Sequence, residues 1–227
     1  MDKRIFAASR QWSTALLGAA MAVLVAGLSH ASPLILQPGD GKDAEIDNTI
    51  PNSNLGTNDD LVINWFDNGR SIGLIEFDLS SLPANAQVTS ATLSLYQAFN
   101  GCLGCRYDAF RITSAWNEGT VTFNTAPTID PTAVASLVIP DNNTSLFRDW
   151  NVTGVVAGWA SGSFPNYGLW IEEVPVQGAA VAYFESSDAG GAATDPKLSI
   201  DFSVPEPATL SLLGLSLAGL GFSRRKQ

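Results

Sequence analysis

Between Pro38 and Ser203, apolar and polar residues alternate with a period of two, and turn-forming residues break the pattern every few positions. Ile75, Phe77 and Leu79 alternate with Glu76 and Asp78; Ala91, Leu93 and Leu95 alternate with Thr92, Ser94 and Tyr96. Leu198, Ile200 and Phe202 alternate with Ser199 and Asp201. A strand sends successive side chains to opposite faces, so each stretch reads as a half-buried strand and none as a helix. Weaker strand candidates are Ala44–Asp47, Leu61–Trp65, Ala109–Thr113, Thr120–Phe123, Val134–Ile139, Leu146–Val152, Gly168–Glu172 and Val181–Glu185. Clusters such as Asn52–Asn58, Asp67-Asn68-Gly69, Asp141-Asn142-Asn143 and Asp188–Pro196 supply the turns. Only Val152–Ala160 carries helical spacing, at Val155, Val156 and Trp159. The expected fold is all-β, an antiparallel β-sandwich of jelly-roll type with one short helix, formed by a single domain over residues 32–203.

Both ends of the chain differ from this middle. Lys3, Arg4 and Arg10 precede an apolar run of 14 residues, Ala15 to Leu28, followed by Ser29-His30-Ala31. That order is the pattern of a secretory signal peptide, with cleavage expected after Ala31. The run is shorter than the roughly 20 residues that a stable membrane span requires. At the other end, Val204-Pro205-Glu206-Pro207 precedes the apolar segment Ala208–Phe222, and then Arg224-Arg225-Lys226. The prolines end any preceding strand. As a helix the apolar segment would extend about 22 Å, with the basic cluster held on the cytoplasmic side. A signal helix and a C-terminal hydrophobic helix are therefore expected to flank the sandwich. The tail resembles the PEP-CTERM sorting signal of Gram-negative bacteria that make exopolysaccharide. That resemblance implies recognition and cleavage by exosortase, an integral membrane protease, during transit through the inner membrane. Release or attachment at the cell surface would follow.

Charge removes several function classes. In the middle region, six basic residues face twenty acidic ones, a formal charge of −14. Phosphate binding needs clustered Lys and Arg, so nucleic acid is not an expected partner. The single histidine, His30, lies in the expected leader. Triads with an imidazole base and His-ligated zinc are accordingly not expected in the exported chain.

Several stretches of the middle are similar to the DNRLRE domain, a jelly-roll module of exported bacterial and archaeal proteins. They are Asp43-Ala44-Glu45-Ile46, Asn54-Leu55-Gly56 with Asn58–Ile63, Gly73–Pro83 leading into Val88–Tyr96, Trp116–Pro127, Asp149–Trp159 and Asn166–Leu169. The similarity spans 40–202 and departs at Ser186-Ser187-Asp188, where the family has a Ser-Arg-Glu. It implies a polysaccharide ligand and a non-catalytic, matrix-organising role.

The residues themselves suggest three local chemistries. A sugar platform needs an exposed aromatic face beside polar groups. Trp65, with Arg70 and Tyr96 as polar partners, is the candidate platform; ordinary loop packing is its alternative. Trp116 and Trp150 are expected to fill corners of the sandwich. Asp40, Asp43, Glu45 and Asp47 stand at the start of the domain, Asp59 and Asp60 follow, and Asp188 and Asp201 lie near its end. If the terminal strands run side by side, these oxygens would converge on a structural calcium, which favours six to eight oxygen ligands. The alternative is a solvated acidic surface. Calcium would also bridge an acidic polysaccharide to so negative a domain. Cys102 and Cys105, in a Gly-flanked turn, are expected to form a local disulfide outside the cytoplasm. No spacing singles out a catalytic acid–base pair, so no enzyme activity is expected.

Overall fold

A computed structural model describes residues 28–30, 33–37, 42–65, 69–175 and 180–205. The expected signal helix and sorting helix, with Asp40, Glu206, Pro207, Arg224 and Arg225, lie outside the described residues. Among those described, no helix is long and apolar enough to cross a membrane.

Among the described residues, twelve strands form one antiparallel sheet that curls on itself. They are β1 (Leu28–His30), β2 (Leu34–Leu36), β3 (Asp43–Asp47), β4 (Asp60–Trp65), β5 (Arg70–Ile75), β6 (Gln87–Asn100), β7 (Arg106–Ile112), β8 (Ile129–Val138), β9 (Leu146–Asn151), β10 (Leu169–Glu173), β11 (Ala180–Glu185) and β12 (Lys197–Pro205). The order is β1-β12-β6-β11-β4-β5-β10-β7-β8, with β2 added to β12, β3 to β5 and β9 to β6. β4 and β5 share only Asn64↔Ser71 and Trp65↔Arg70, so the sheet folds over at this hairpin into two facing layers. Leu61 and Ile63 of β4, Leu93 and Leu95 of β6, Phe184 of β11 and Ile200 of β12 thereby meet Ile75, Tyr107, Ala109, Leu169 and Ile171 of the other layer. This is the jelly-roll sandwich that the alternation implied.

The alternating stretches of β6 and β12 bury the residues expected. Leu198, Ile200 and Phe202 are buried while Asp201 is exposed, and Leu93 and Leu95 are buried while Ser94 and Tyr96 face outward. Two strands behave differently. Nearly every residue of β5 and β10 is buried, because a second apolar cluster covers their outer face. That cluster joins Ala44, Ile46, Ile72, Leu74, Ile112, Val121 and Trp170, with Phe110, Trp116 and Phe123 packed against it. A sheet covered on both sides reads as a continuous apolar run and not as an alternation.

Two expected strands need correction. The stretch Ile75–Leu79 belongs to the ladder only through Ile75, although Phe77 remains buried. Asp78 accepts from the Ser80 amide and hydroxyl at 2.8 Å each, and this local turn takes over from the ladder. Thr120–Phe123 is a turn that runs into a short 3-10 helix, Phe123–Thr125, closed by reciprocal bonds between Thr122 and Thr125. Among the described residues the one α-helix, α1 (Thr153–Ala160), buries Val155, Val156 and Trp159 as expected. Just ahead of it, Asn151 makes a local turn by accepting from the amide and hydroxyl of Thr153. Just before β10, Gly168 has φ +86, and a Cβ there would meet the Ile75 carbonyl oxygen at 2.1 Å. Only glycine lets the chain enter β10 this close to β5.

Candidate functional site

Trp65 and Arg70 are direct partners across the β4–β5 hairpin. The Arg70 guanidinium lies 4.9 Å from the centre of the Trp65 ring and 5.6 Å from that of Trp170. It pairs with Glu172, whose carboxylate also accepts from the Trp170 indole at 2.7 Å. Planar guanidinium groups stack on indole faces and are held by a carboxylate. Asn48 accepts the Arg70 amide at 2.8 Å and Glu173 the Trp65 amide at 3.0 Å, so the backbone beneath the pair is fixed. Trp65 remains half-exposed. The result is an indole at the rim, backed on one face by a cation and bordered by carboxylate oxygens.

Tyr96 does not belong to this group. β11 lies between β4 and β6, which places Tyr96 two strands away, about 10 Å across the sheet. It faces outward against Phe147, with ring centres 5.3 Å apart, and the Lys197 ammonium lies 4.2 Å from the Phe147 ring. Phe99 and Tyr183, also exposed, pair at 5.3 Å.

The carboxylates expected at one calcium site are dispersed. β2 does run beside β12, but β3, which carries Asp43 and Glu45, joins β5 instead. Asp201 is exposed on β12. Asp43 and Glu45 point into the gap between layers, where Asp43 accepts from the Ser187 amide at 2.9 Å and Glu45 from the Val62 amide at 3.2 Å. Asp188, also exposed, is close enough to Asp43 to oppose its ionisation. Among the described residues, no three carboxylates have oxygens within 4.8 Å of one another, and Asp43, Glu45, Asp188 and Asp201 are spread over different elements. The two buried acids instead tie the edge strand β3 to the opposite layer. Burial pushes Asp43 up to about 6 and Glu45 up to about 7.

Cys102 and Cys105 are joined by a disulfide. Closing so small a ring adds about 2 kcal/mol, and reduction of the folded protein is expected to lower its stability by that amount in denaturant titrations. Beside the sulfurs, within 4.8 Å, lies the Glu173 carboxylate. Among the described residues its Oε1 and the nearby Tyr107 hydroxyl have no hydrogen-bond partner, and burial raises Glu173 to about 7. Sequence reasoning passed over Glu173, although Leu169, Ile171 and Glu173 share one register and the first two are core residues.

One further concavity was missed. A cleft of about 510 Å³ is lined by Ala115, Trp116, Asn117, Thr120, Val121 and Thr125. Trp116 was expected to be a corner filler, and it does pack on the second cluster, but it is only partly buried. Its indole donates to the Tyr167 carbonyl at 2.9 Å, and the Lys42 ammonium lies 5.2 Å from its ring. The signal available in the sequence was a tryptophan followed at once by a polar turn, Asn117-Glu118-Gly119-Thr120.

Comparison with known families bears on both the sandwich and the tail. Residues 203–226 match the PEP-CTERM protein-sorting motif, the signal for exosortase-dependent export. A search of curated proteins finds no significant match. Residues 39–202, from before β3 to within β12, match the family described as carbohydrate-binding module family 96. The designation DNRLRE is not what this match carries; the sugar-binding class it implied is. With its two-layered core, its aromatic rim and most of its length covered by that match, the chain belongs to carbohydrate-binding module family 96.

Proposed function

We propose that this protein is an exported, non-catalytic polysaccharide-binding protein that organises extracellular matrix, delivered to the surface after exosortase handles residues 204–227. The proposal includes the leader 1–31 and the sandwich 32–203 as separate functional segments. The observation that carries the binding role is the half-exposed Trp65 held against Arg70, Trp170 and Glu172 in a family of carbohydrate-binding modules. An indole face suits the C–H surface of a pyranose, and fixed polar groups beside it suit the hydroxyls. Preorganisation by the Arg70–Glu172 pair reduces the entropy lost on binding.

Trp65→Ala is expected to weaken polysaccharide binding about tenfold, equal to about 1.4 kcal/mol, in affinity electrophoresis through glycan-loaded gels. The melting temperature should change little. Unaltered mobility shifts would remove Trp65 from the site. Because the domain is so acidic, binding to a uronate polymer should require calcium as a bridge and disappear in EDTA. A second reading is a structural matrix protein without sugar recognition, favoured by the exposed Phe99–Tyr183 pair on the outer face of β6 and β11. A glycan array without any signal, combined with self-association at that face, would support it.

A further inference from the structure

We propose that the cleft beside Trp116 is a second saccharide site, separate from Trp65 and selective for uncharged sugar units. This rests on the polysaccharide-binding reading above and adds a site and a ligand class to it.

The lining provides the chemistry of a neutral carbohydrate and little else. Trp116, Val121 and Ala115 offer an aromatic face and apolar walls, while Asn117 and Thr120 offer an amide and a hydroxyl; the Thr125 hydroxyl at the edge is engaged by Thr122. No charged side chain is among them. The nearest carboxylate in sequence, Glu118, turns inward to accept the Asp43 amide at 2.8 Å. The Lys42 ammonium beside the ring is already paired with Glu76 at 2.7 Å. A uronate would therefore find no free cation at this place, and it would meet the field of an acidic domain. A neutral pyranose loses nothing to that field.

The site is also built in advance. The indole is oriented by its bond to Tyr167. The turn is anchored from outside by the Asn54 amide, which donates to the carbonyls of Glu118 at 2.6 Å and Val121 at 2.7 Å. Gly56 packs so closely that a Cβ would stand 2.3 Å from the Glu118 carbonyl oxygen. The exposed Asn117 and Thr120 side chains meet only each other, at 3.3 Å, a long bond that a sugar hydroxyl readily replaces. A volume of about 510 Å³ falls within the range of small-ligand clefts.

Separation from Trp65 follows from register. Arg70, the partner of Trp65, begins β5, whereas Asp43, which is bonded to Glu118, pairs with Ile75 at the other end of β5. Five residues of strand place the two sites about 17 Å apart.

The test uses the exported chain in affinity electrophoresis against laminarin, mannan and xyloglucan, with alginate and polygalacturonate as anionic counterparts. The double variant Asn117→Ala/Thr120→Ala leaves Trp116 and its packing in place, and thermal melting checks that the fold persists. It should bind the neutral polymer taken up by the native chain about tenfold more weakly, including in a Trp65→Ala background. Native-level binding by the folded double variant would overturn the second site alone and leave the polysaccharide-binding reading intact. An effect confined to alginate or polygalacturonate would overturn the neutral selectivity. A native chain that binds none of the five polymers would sink the underlying reading and this site with it.

Discussion

Trp150→Ala is expected to lower the unfolding free energy by about 4 kcal/mol, the upper range for truncating a large core aromatic. Trp150 is completely buried at the centre of the sandwich, edge-on to Phe184 with ring centres 5.8 Å apart. Its indole donates to the Tyr107 carbonyl at 3.1 Å and so bonds β9 of one layer to β7 of the other. Alanine leaves a void that the stiff strands around it do not close, and it strips the Tyr107 oxygen of a donor where water does not reach. Since domains are stable by about 5–15 kcal/mol, the variant should be folded only marginally at room temperature. Urea titration would reveal it, and a midpoint close to that of the native chain would refute the assignment of Trp150 to the central core.

The second large effect is a fall in stability as the solution becomes less acidic. Desolvation raises Asp43 from 3.8 to about 6, and Glu45 and Glu173 from 4.5 to about 7. In the unfolded chain these groups ionise at their ordinary values. Between about pH 4 and pH 7 the native state therefore holds more protons than the unfolded one, and stability drops as pH rises through that window. The expected loss from pH 5 to pH 8 is several kcal/mol, since linkage runs for about one pH unit at Asp43 and about two at each of the two glutamates. Asp78, Asp130 and Asp141 act in the opposite sense: hydrogen bonds hold them below the usual carboxylate range, so their contribution is lost as the solution is acidified below about pH 4. The optimum should thus lie near pH 5. Glu173→Gln keeps an acceptor for the Trp65 amide and removes the buried charge. It should stabilise the protein by about 1 kcal/mol at pH 8 and by much less at pH 5. Melting curves across pH check both statements, and a flat profile for the native chain would contradict the raised values.

What could be read from the chain before folding depended on whether one face or two were covered. β6 and β12 have one wet face, so Leu93, Leu95, Leu198 and Ile200 announced their partners through simple alternation. β5 and β10 have none, and the reason is non-local: the turn carrying Val121 and Trp116 folds over Ile72, Leu74 and Trp170 from far along the sequence. The hairpin pair Trp65 and Arg70 was legible because only a short turn separates them. Tyr96 was misplaced because nothing in its neighbourhood discloses that β11 inserts between β4 and β6. The spread of the acids over separate strands was hidden for a related reason. Closeness of Asp43 to Asp201 depended on which early strand meets β12, and those are β1 and β2, both shorter than β3 and neither expected from the sequence.

The short ladder of Leu28–His30 against Ser203–Pro205 carries its own consequence. Among the described residues, β1 is the sole strand neighbour of Val204 and Pro205, since β6 reaches no farther than Ser203 and β2 no farther than Ile200. The expected cut after Ala31 would take that neighbour away. Val204 and Pro205, the first residues of the sorting motif, would then lack a ladder partner and present the open backbone that proteases and other strand-adding partners grasp.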